Sequence, residues 1–141
     1  MEAAMTADSP FVGTWKSNSV KSKLEGSGHE GASATVRLEQ VGAGLKATLQ
    51  IITAQGQSID YSYQLTLNGE PVKVTGTSEF DEIETRRVND RTFNAIGKKD
   101  GELVFTDRRA LSRDGNTITI TRKGTNPQNQ AYTATFVLDR Q

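Results

Sequence analysis

The sequence contains no cysteine and only one histidine, His29. Without cysteine, the chain can form no disulfide bond and has no thiol chemistry. Transition-metal sites normally recruit several imidazole or thiolate ligands, so we expect no metal site. No phosphate-binding loop or dinucleotide fingerprint occurs, and the spacing of serines around one histidine indicates no Ser–His–Asp triad. We therefore predict no cofactor.

Net charge and long hydrophobic runs are also missing. Seventeen basic residues balance seventeen acidic ones, so neither a nucleic acid nor a membrane surface is an expected partner. No run approaches the roughly 20 apolar residues of a membrane-spanning helix. The first ten residues lack the apolar segment of a signal peptide. We expect a cytoplasmic protein from the sequence as given, or a secreted or periplasmic one if a signal peptide has been removed.

Apolar residues make up only 34% of the 141 residues. The length suits a single domain, present as a monomer or homodimer. We predict a flexible N-terminal arm over residues 1–10, which are small and polar, and one folded domain over residues 11–141. A barrel with a partly polar interior would explain the low apolar fraction, and an open, well-hydrated sheet would explain it too.

Ten short segments with alternating apolar and polar residues follow one another from Phe11 to the C-terminus. Turn residues separate them at intervals of eight to twelve positions from Ala34 onward, and Asn68-Gly69 is a strong hairpin signal. Consecutive antiparallel hairpins avoid exposed edges by closing on themselves. The sequence therefore predicts an all-β fold: a single up-and-down antiparallel barrel of about eight to ten strands, with little or no helix. A β-sandwich is the alternative, but no long crossover of the Greek-key type is visible.

The opening of the first strand carries a resemblance to a known group. It reads Phe11-Val-Gly-Thr-Trp-Lys-Ser-Asn-Ser-Val-Lys-Ser-Lys23 and includes the only tryptophan, Trp15. This stretch resembles the opening of calycin barrels, the lipocalin and fatty-acid-binding-protein group, and especially of small bacterial lipocalin-like proteins that begin G-T-W-K. The resemblance implies a barrel whose cavity binds a small hydrophobic molecule. It also implies that an arginine from near the C-terminus packs over Trp15, for which Arg122 and Arg140 are the candidates.

The segment from Asn18 to Ala32 departs from this group. Fatty-acid-binding proteins have a helical lid here, whereas this chain has three glycines within six residues. Such a segment is too rich in glycine for a stable helix. We expect a loop, with at most one helical turn, that folds over one end of the barrel.

Residues of the C-terminal half are predicted to form a transverse row on the inner face. Centring each hairpin on its turn residues pairs neighbouring strands in a definite register. The row reads Arg87, Phe93, Asp107, Arg122 and Tyr132, with Arg109 one step along the same face. Charged side chains inside a small barrel cost several kcal/mol each unless they are paired, so the row is a candidate site.

We interpret the row as an anion-binding site in an apolar cavity. Arg87, Arg109 and Arg122 would bind a carboxylate, and Asp107 would orient one arginine. Further ligand contacts are expected from Phe93, Tyr61, Tyr63 and Tyr132. Fatty-acid-binding proteins hold their ligand's carboxylate with Arg and Tyr near the last strands. Their Arg-x-Tyr motif is absent here, so their residue roles cannot be transferred.

Other interpretations remain open. The charged row could be a purely structural ion-pair network, or it could face solvent. In an enzyme of the isomerase, cyclase or hydrolase type, Asp107 would be the base and Arg122 or Tyr132 would stabilise an oxyanion. A protein-interaction module would use its loops instead. His29 is expected to be a solvated loop residue, or a base over the pocket if its loop closes the barrel mouth. The acidic stretch from Glu79 to Glu84 is expected to be a hydrated edge.

Overall fold

The computed structural model describes residues 9–141. The predicted flexible arm, residues 1–10, therefore lies mostly outside the described residues. Ser9 lies against the barrel, because its backbone N–H donates to the Gln40 side chain at 2.7 Å.

Ten antiparallel strands make up one sheet, as predicted. They run in the order β4-β3-β2-β1-β10-β9-β8-β7-β6-β5, so each pair of neighbours except β1–β10 is consecutive along the chain. Residues 9–141 contain no helix, and hence none that is long and apolar enough to cross a membrane. The strands are β1 (Gly13–Ser17), β2 (Ser33–Val41), β3 (Gly44–Ile52), β4 (Ser58–Leu65), β5 (Asn68–Lys73), β6 (Glu82–Asn89), β7 (Thr92–Lys99), β8 (Glu102–Leu111), β9 (Thr117–Thr125) and β10 (Ala131–Arg140).

The barrel is nearly closed, with its seam between β4 and β5. These two strands are the ends of the sheet, so the predicted hairpin at Asn68-Gly69 is wrong. Both residues lie within β5. The chain turns earlier, at Leu67, which has a positive φ of 62°. Arg87 N donates to Leu67 O, and Leu67 N donates to Thr85 Oγ1, both at 3.0 Å. These bonds attach the turn to β6 instead of β4.

Alternation along each strand places apolar side chains inside the barrel. The largest fully buried side chains are Trp15, Leu45, Leu65, Ile83 and Phe105. They come from five different strands, so the core joins the whole sheet. Burial of one such side chain stabilises the fold by about 1.5–3 kcal/mol.

Arg140 packs over Trp15, as the resemblance implied, with its guanidinium carbon 4.3 Å from the ring centroid. The same guanidinium donates to the backbone carbonyls of Pro10, Val12 and Gly115, each at 2.8 Å. The Trp15 indole N–H donates to Phe11 O at 2.9 Å. Arg140 thus ties the end of the chain to the first strand and to the turn before β9.

Replacing Arg140 with methionine is expected to lower the free energy of unfolding by about 2 kcal/mol, because charge-assisted bonds to the three carbonyls and the contact with Trp15 are lost. Urea unfolding followed by Trp15 fluorescence measures this. Arg140→Lys should lose less, and Arg108→Met, at an exposed position of β8, should stay within about 0.5 kcal/mol of the unmodified protein. A loss below that limit for Arg140→Met would contradict the assignment.

The segment from Asn18 to Ala32 is a loop over one end of the barrel, as predicted. It contains one helical turn, in which Ser22 N donates to Asn18 O. A β-bridge between Lys23 and Thr135 and a bond from Asn126 Nδ2 to Gly26 O hold it in place. We call it the portal loop.

Candidate ligand-binding cavity and its charged cluster

Two links of the predicted row are confirmed by the strand register. Arg87 pairs with Phe93 across β6 and β7. Asp107 pairs with Arg122 across β8 and β9. The second pairing places two opposite charges side by side on the inner face.

The other two links are wrong by two residues. Phe93 pairs with Arg109 rather than Asp107, and Arg122 pairs with Ala134 rather than Tyr132. In the first case, the β7–β8 hairpin has a two-residue turn, which shifts the pairing by one residue from the prediction. A β-bulge after Gly97 shifts it by one residue more. A bulge shifts the register on one strand only. A shift of two keeps Asp107, Arg109 and Arg122 on their predicted face but moves each of them one step along the barrel relative to its neighbouring strand.

Asp107 is the centre of a buried charged cluster, and none of its side chain is exposed. Arg109 donates from Nε and Nη2 to Asp107 Oδ2, at 3.1 and 2.9 Å. Arg122 donates from Nε to Oδ1 at 2.7 Å and from Nη2 to Oδ2 at 2.9 Å. The carboxylate therefore accepts four charge-assisted bonds, which fix both guanidinium planes.

The Nη1 group of each arginine makes no bond to Asp107. Arg109 Nη1 donates to the Tyr63 hydroxyl at 3.2 Å. Arg122 Nη1 contacts Glu79 Oε2 at 3.4 Å, which is long for a charged pair. These two Nη1 groups are the donors of the cluster that are least committed to a protein partner.

Aromatic rings pack against the guanidinium groups of the two arginines. The Arg122 guanidinium carbon lies 3.8 Å from the centroid of Phe105 and 5.1 Å from that of Phe136. The Arg109 guanidinium lies 5.7 Å from the Phe93 centroid. Cation–π contacts of this kind stabilise a desolvated cation, so the arginines are held in place without ligand.

The charges within the cluster outweigh the cost of burial. Burial opposes ionisation of Asp107, but the positive charges of Arg122 and Arg109 keep its pKa below the usual value. Burial likewise opposes ionisation of Glu79, yet its hydrogen bond to His29 and the charge of Arg122 lower its pKa. Burial acts against the charge on Arg122, but Asp107 and Glu79 raise the pKa of that arginine. Both carboxylates are therefore ionised at neutral pH.

Glu79 was missed by the sequence analysis, which assigned it to a hydrated edge. Its ionised carboxylate lies in the cluster and accepts a hydrogen bond from His29 Nε2 at 2.9 Å. The neighbouring Phe80 is buried, with its ring 5.2 Å from that of Phe105. Both residues belong to the connection between β5 and β6, which lacks the alternation of a strand. His29 lies over the pocket, as expected for a closed portal loop.

A cavity of about 130 Å³ lies beside the cluster inside the barrel. Its walls are mainly apolar and come from β2, β3, β9, β10 and the portal loop. Five of the predicted ligand contacts line it: Tyr61, Tyr63, Phe93, Arg109 and Arg122. Burial is the main reason why the pKa of Tyr61 is raised, and the neighbouring Tyr63 raises it further. The Tyr61 hydroxyl therefore stays protonated.

Three other predicted residues lie elsewhere. Arg87 is on the inner-face register but near the C-terminal end of β6, where its side chain is 59% exposed and pairs with Asp90. Its expected place in the buried row is wrong, because the barrel ends there. Tyr132 lines a separate, outer depression of about 680 Å³ under the portal loop. Asp107 lies behind the two arginines and does not line the cavity. Within residues 9–141 no group of three His, Asp or Glu side chains is placed to hold a metal ion.

Acid is expected to destabilise the fold through this cluster. A carboxylate whose folded-state pKa is lowered contributes stability above its unfolded-state pKa, about 3.9 for Asp and 4.3 for Glu, and this stability is lost as pH falls through the lower folded value. Urea midpoints between pH 7 and pH 2.5 should therefore fall steeply below about pH 4. Glu79→Gln should make the fall shallower, whereas exposed Glu102→Gln should not. A profile that stays flat to pH 2.5 would contradict the ion pairing.

The fold resembles that of a solved structure. The zebrafish ileal bile acid-binding protein, solved in complex with cholic acid, superposes with a TM-score of 0.55. The alignment covers 94% of this chain and all of that chain, at 12% sequence identity. No protein-family model matches the sequence, and no curated protein sequence does. The structural match shows that this chain shares the β-barrel fold of the zebrafish protein.

Proposed function

We propose that the protein binds a small hydrophobic molecule with an anionic head group inside its barrel. The observation that carries this proposal is the position of Arg109 and Arg122, two guanidiniums about 90% buried in the wall of an otherwise apolar cavity. A mostly apolar pocket with a few convergent polar groups is the usual form of a small-molecule site. The similar zebrafish structure holds cholic acid, which is also a hydrophobic molecule with a carboxylate.

The least committed donors of the cluster support a head group placed at Arg109 and Arg122. Arg122 Nη1 and Arg109 Nη1 are on the two guanidiniums that Asp107 joins, and Tyr63 and Tyr61 lie beside them. A carboxylate can accept from both guanidiniums, and from a tyrosine hydroxyl, in one plane. The apolar chain of such a ligand would lie along the strands that supply the apolar wall.

Native mass spectrometry of the freshly purified protein tests this proposal. We expect one small molecule per chain, either co-purified or after addition of dodecanoate, a simple probe of this chemistry. Ala34→Phe is the control, because Ala34 lines the cavity and a larger side chain there fills it. A spectrum without any adduct at saturating dodecanoate, or an equal adduct in Ala34→Phe, would overturn cavity binding.

The site gives less support to an enzyme. Asp107, the expected base, has no exposed side-chain surface and accepts bonds from two arginines. Its lowered pKa makes it a weak base at neutral pH. Of the two expected oxyanion stabilisers, Arg122 lines the inner cavity, but Tyr132 lines the outer depression. We therefore propose binding as the activity of this barrel.

A further inference from the structure

A thin wall separates the inner cavity from the outer depression. Four residues line both spaces: His29, Ala32, Ile51 and Glu79. The two polar members of this wall are joined by the 2.9 Å contact between His29 Nε2 and Glu79 Oε2. This contact joins the portal loop to the connection between β5 and β6, at the boundary of the two spaces.

The inner cavity is too small to hold a ligand by itself. Pockets that enclose drug-sized molecules have volumes of about 300–1,000 Å³, whereas this cavity has about 130 Å³. The outer depression adds about 680 Å³. A ligand with an extended apolar chain must therefore occupy both spaces, and the wall at His29 and Glu79 must open.

Glu79 is the weakest link of the charged cluster. Its contact to Arg122 is 3.4 Å, compared with 2.7 Å for the shortest bond between Arg122 and Asp107. Its side chain is 23% exposed, while that of Asp107 is fully buried. Glu79 can thus turn towards the outer depression, which it also lines, whereas Asp107 has no such route.

Charge balance shows what can replace Glu79. Two arginines, Arg109 and Arg122, face two carboxylates, Asp107 and Glu79. The cluster is therefore neutral apart from the contribution of His29. An additional anion would leave the cluster with a net negative charge in a desolvated space, which is costly. Exchange of the Glu79 carboxylate for a ligand carboxylate keeps the balance unchanged.

We propose that Glu79 is a specificity-determining residue: its carboxylate occupies the head-group site in the free protein, and an anionic ligand enters by displacing it from Arg122, which also opens the wall at His29. This proposal rests on the proposed function. It assigns a role to Glu79 that simple cavity binding does not require, since a neutral apolar molecule could not take the place of Glu79 on Arg122.

Titration calorimetry of Glu79→Gln with dodecanoate and 1-dodecanol tests this inference. Glutamine keeps the size and a hydrogen bond to His29 but no longer competes as an anion. We expect dodecanoate to bind about tenfold more tightly than to the unmodified protein, since no charge-assisted bond has to be broken. Binding of 1-dodecanol should change by less than about twofold, because it makes no ion pair.

Glu30→Gln is the matched control. Glu30 lies in the same portal loop and lines the outer depression. Its carboxylate accepts a hydrogen bond from Gly26 N at 2.8 Å and does not contact an arginine of the cluster. Its replacement should leave dodecanoate affinity within about twofold. An equal gain in Glu30→Gln would show a general effect of charge, and an equal gain for both probes in Glu79→Gln would show a steric lid only. Either result overturns the displacement.

The two proposals fail in different ways. If the unmodified protein binds neither probe, cavity binding and displacement both fail. If it binds dodecanoate more tightly than 1-dodecanol, but Glu79→Gln does not improve dodecanoate binding, the displacement alone is wrong. Urea midpoints from Trp15 fluorescence show whether each variant is folded; should Glu79→Gln not fold, Glu79→Ala is measured in the same way with the same expected order of affinities.

Discussion

Asp107→Asn is expected to lower the free energy of unfolding by about 3–5 kcal/mol, the usual loss when one partner of a buried ion pair is removed. The reason lies in the four bonds that the Asp107 carboxylate accepts from Arg109 and Arg122. Asparagine has the same shape but offers one oxygen and no charge, so its NH₂ group faces a guanidinium donor. Both arginines would then be buried without adequate compensation. Urea unfolding at pH 7 measures the loss.

Asp60→Asn is the control for this experiment, because Asp60 lies on β4 with an exposed side chain. Its replacement should change stability by no more than about 0.5 kcal/mol. A loss below 1 kcal/mol in Asp107→Asn, or equal losses at the two positions, would mean that the buried cluster is not held by the Asp107 charge.

Removal of the whole cluster separates a structural role from a binding role. Replacing a buried ion-pair network with apolar side chains of similar volume is often neutral or stabilising. We expect the quadruple variant Glu79→Gln, Asp107→Leu, Arg109→Met, Arg122→Met to regain most of the stability lost in Asp107→Asn. It should no longer distinguish dodecanoate from 1-dodecanol. Such a result would show that these charges are kept for binding, since the fold does not need them.

Arg122→Met is expected to weaken dodecanoate binding by at least about 30-fold, the equivalent of 2 kcal/mol lost on removing a buried charge partner. Without Arg122, the cluster has the two negative charges of Asp107 and Glu79 and only the positive charge of Arg109. Its net charge becomes negative and repels the carboxylate. Binding of 1-dodecanol should weaken by less than about threefold, because it depends on apolar burial.

Arg87→Met is the matched control for Arg122→Met. Arg87 was part of the predicted row, but its side chain is exposed and pairs with Asp90. Both variants remove one positive charge from an inner-face position of the register. Dodecanoate affinity should therefore be unchanged in Arg87→Met. Equal weakening in the two variants would place the head group near the C-terminal end of β6 instead of at the buried cluster.

The fold was predictable because local signals repeat along the whole chain. Alternation and turn residues marked ten segments, and all ten are strands. Trp15 on the first strand and Arg140 near the end form the contact that the resemblance implied. The exception, Asn68-Gly69, shows the limit: a turn signal does not say which neighbour the next strand pairs with, and here hydrogen bonds to β6 decide it.

The site was predictable in composition and less so in geometry. The sequence indicated Asp107, Arg109 and Arg122, since each falls on the inner face by alternation. It could not show the bulge after Gly97, which depends on the Phe105 ring lying over that glycine, where a side chain would overlap it. Leu103 is consequently 60% exposed, although alternation placed it inside. Glu79 gave no periodic signal at all, because only tertiary contacts bring its segment into the barrel.

Titration calorimetry of the unmodified protein with dodecanoate and with 1-dodecanol tests the central claim most directly. The two probes share an apolar chain and differ in head group. The buried arginines predict one dodecanoate per chain, bound at least about tenfold more tightly than 1-dodecanol, which corresponds to one net charge-assisted hydrogen bond. Equal affinities for the two probes, or no saturable binding of dodecanoate, would contradict an anion-binding cavity.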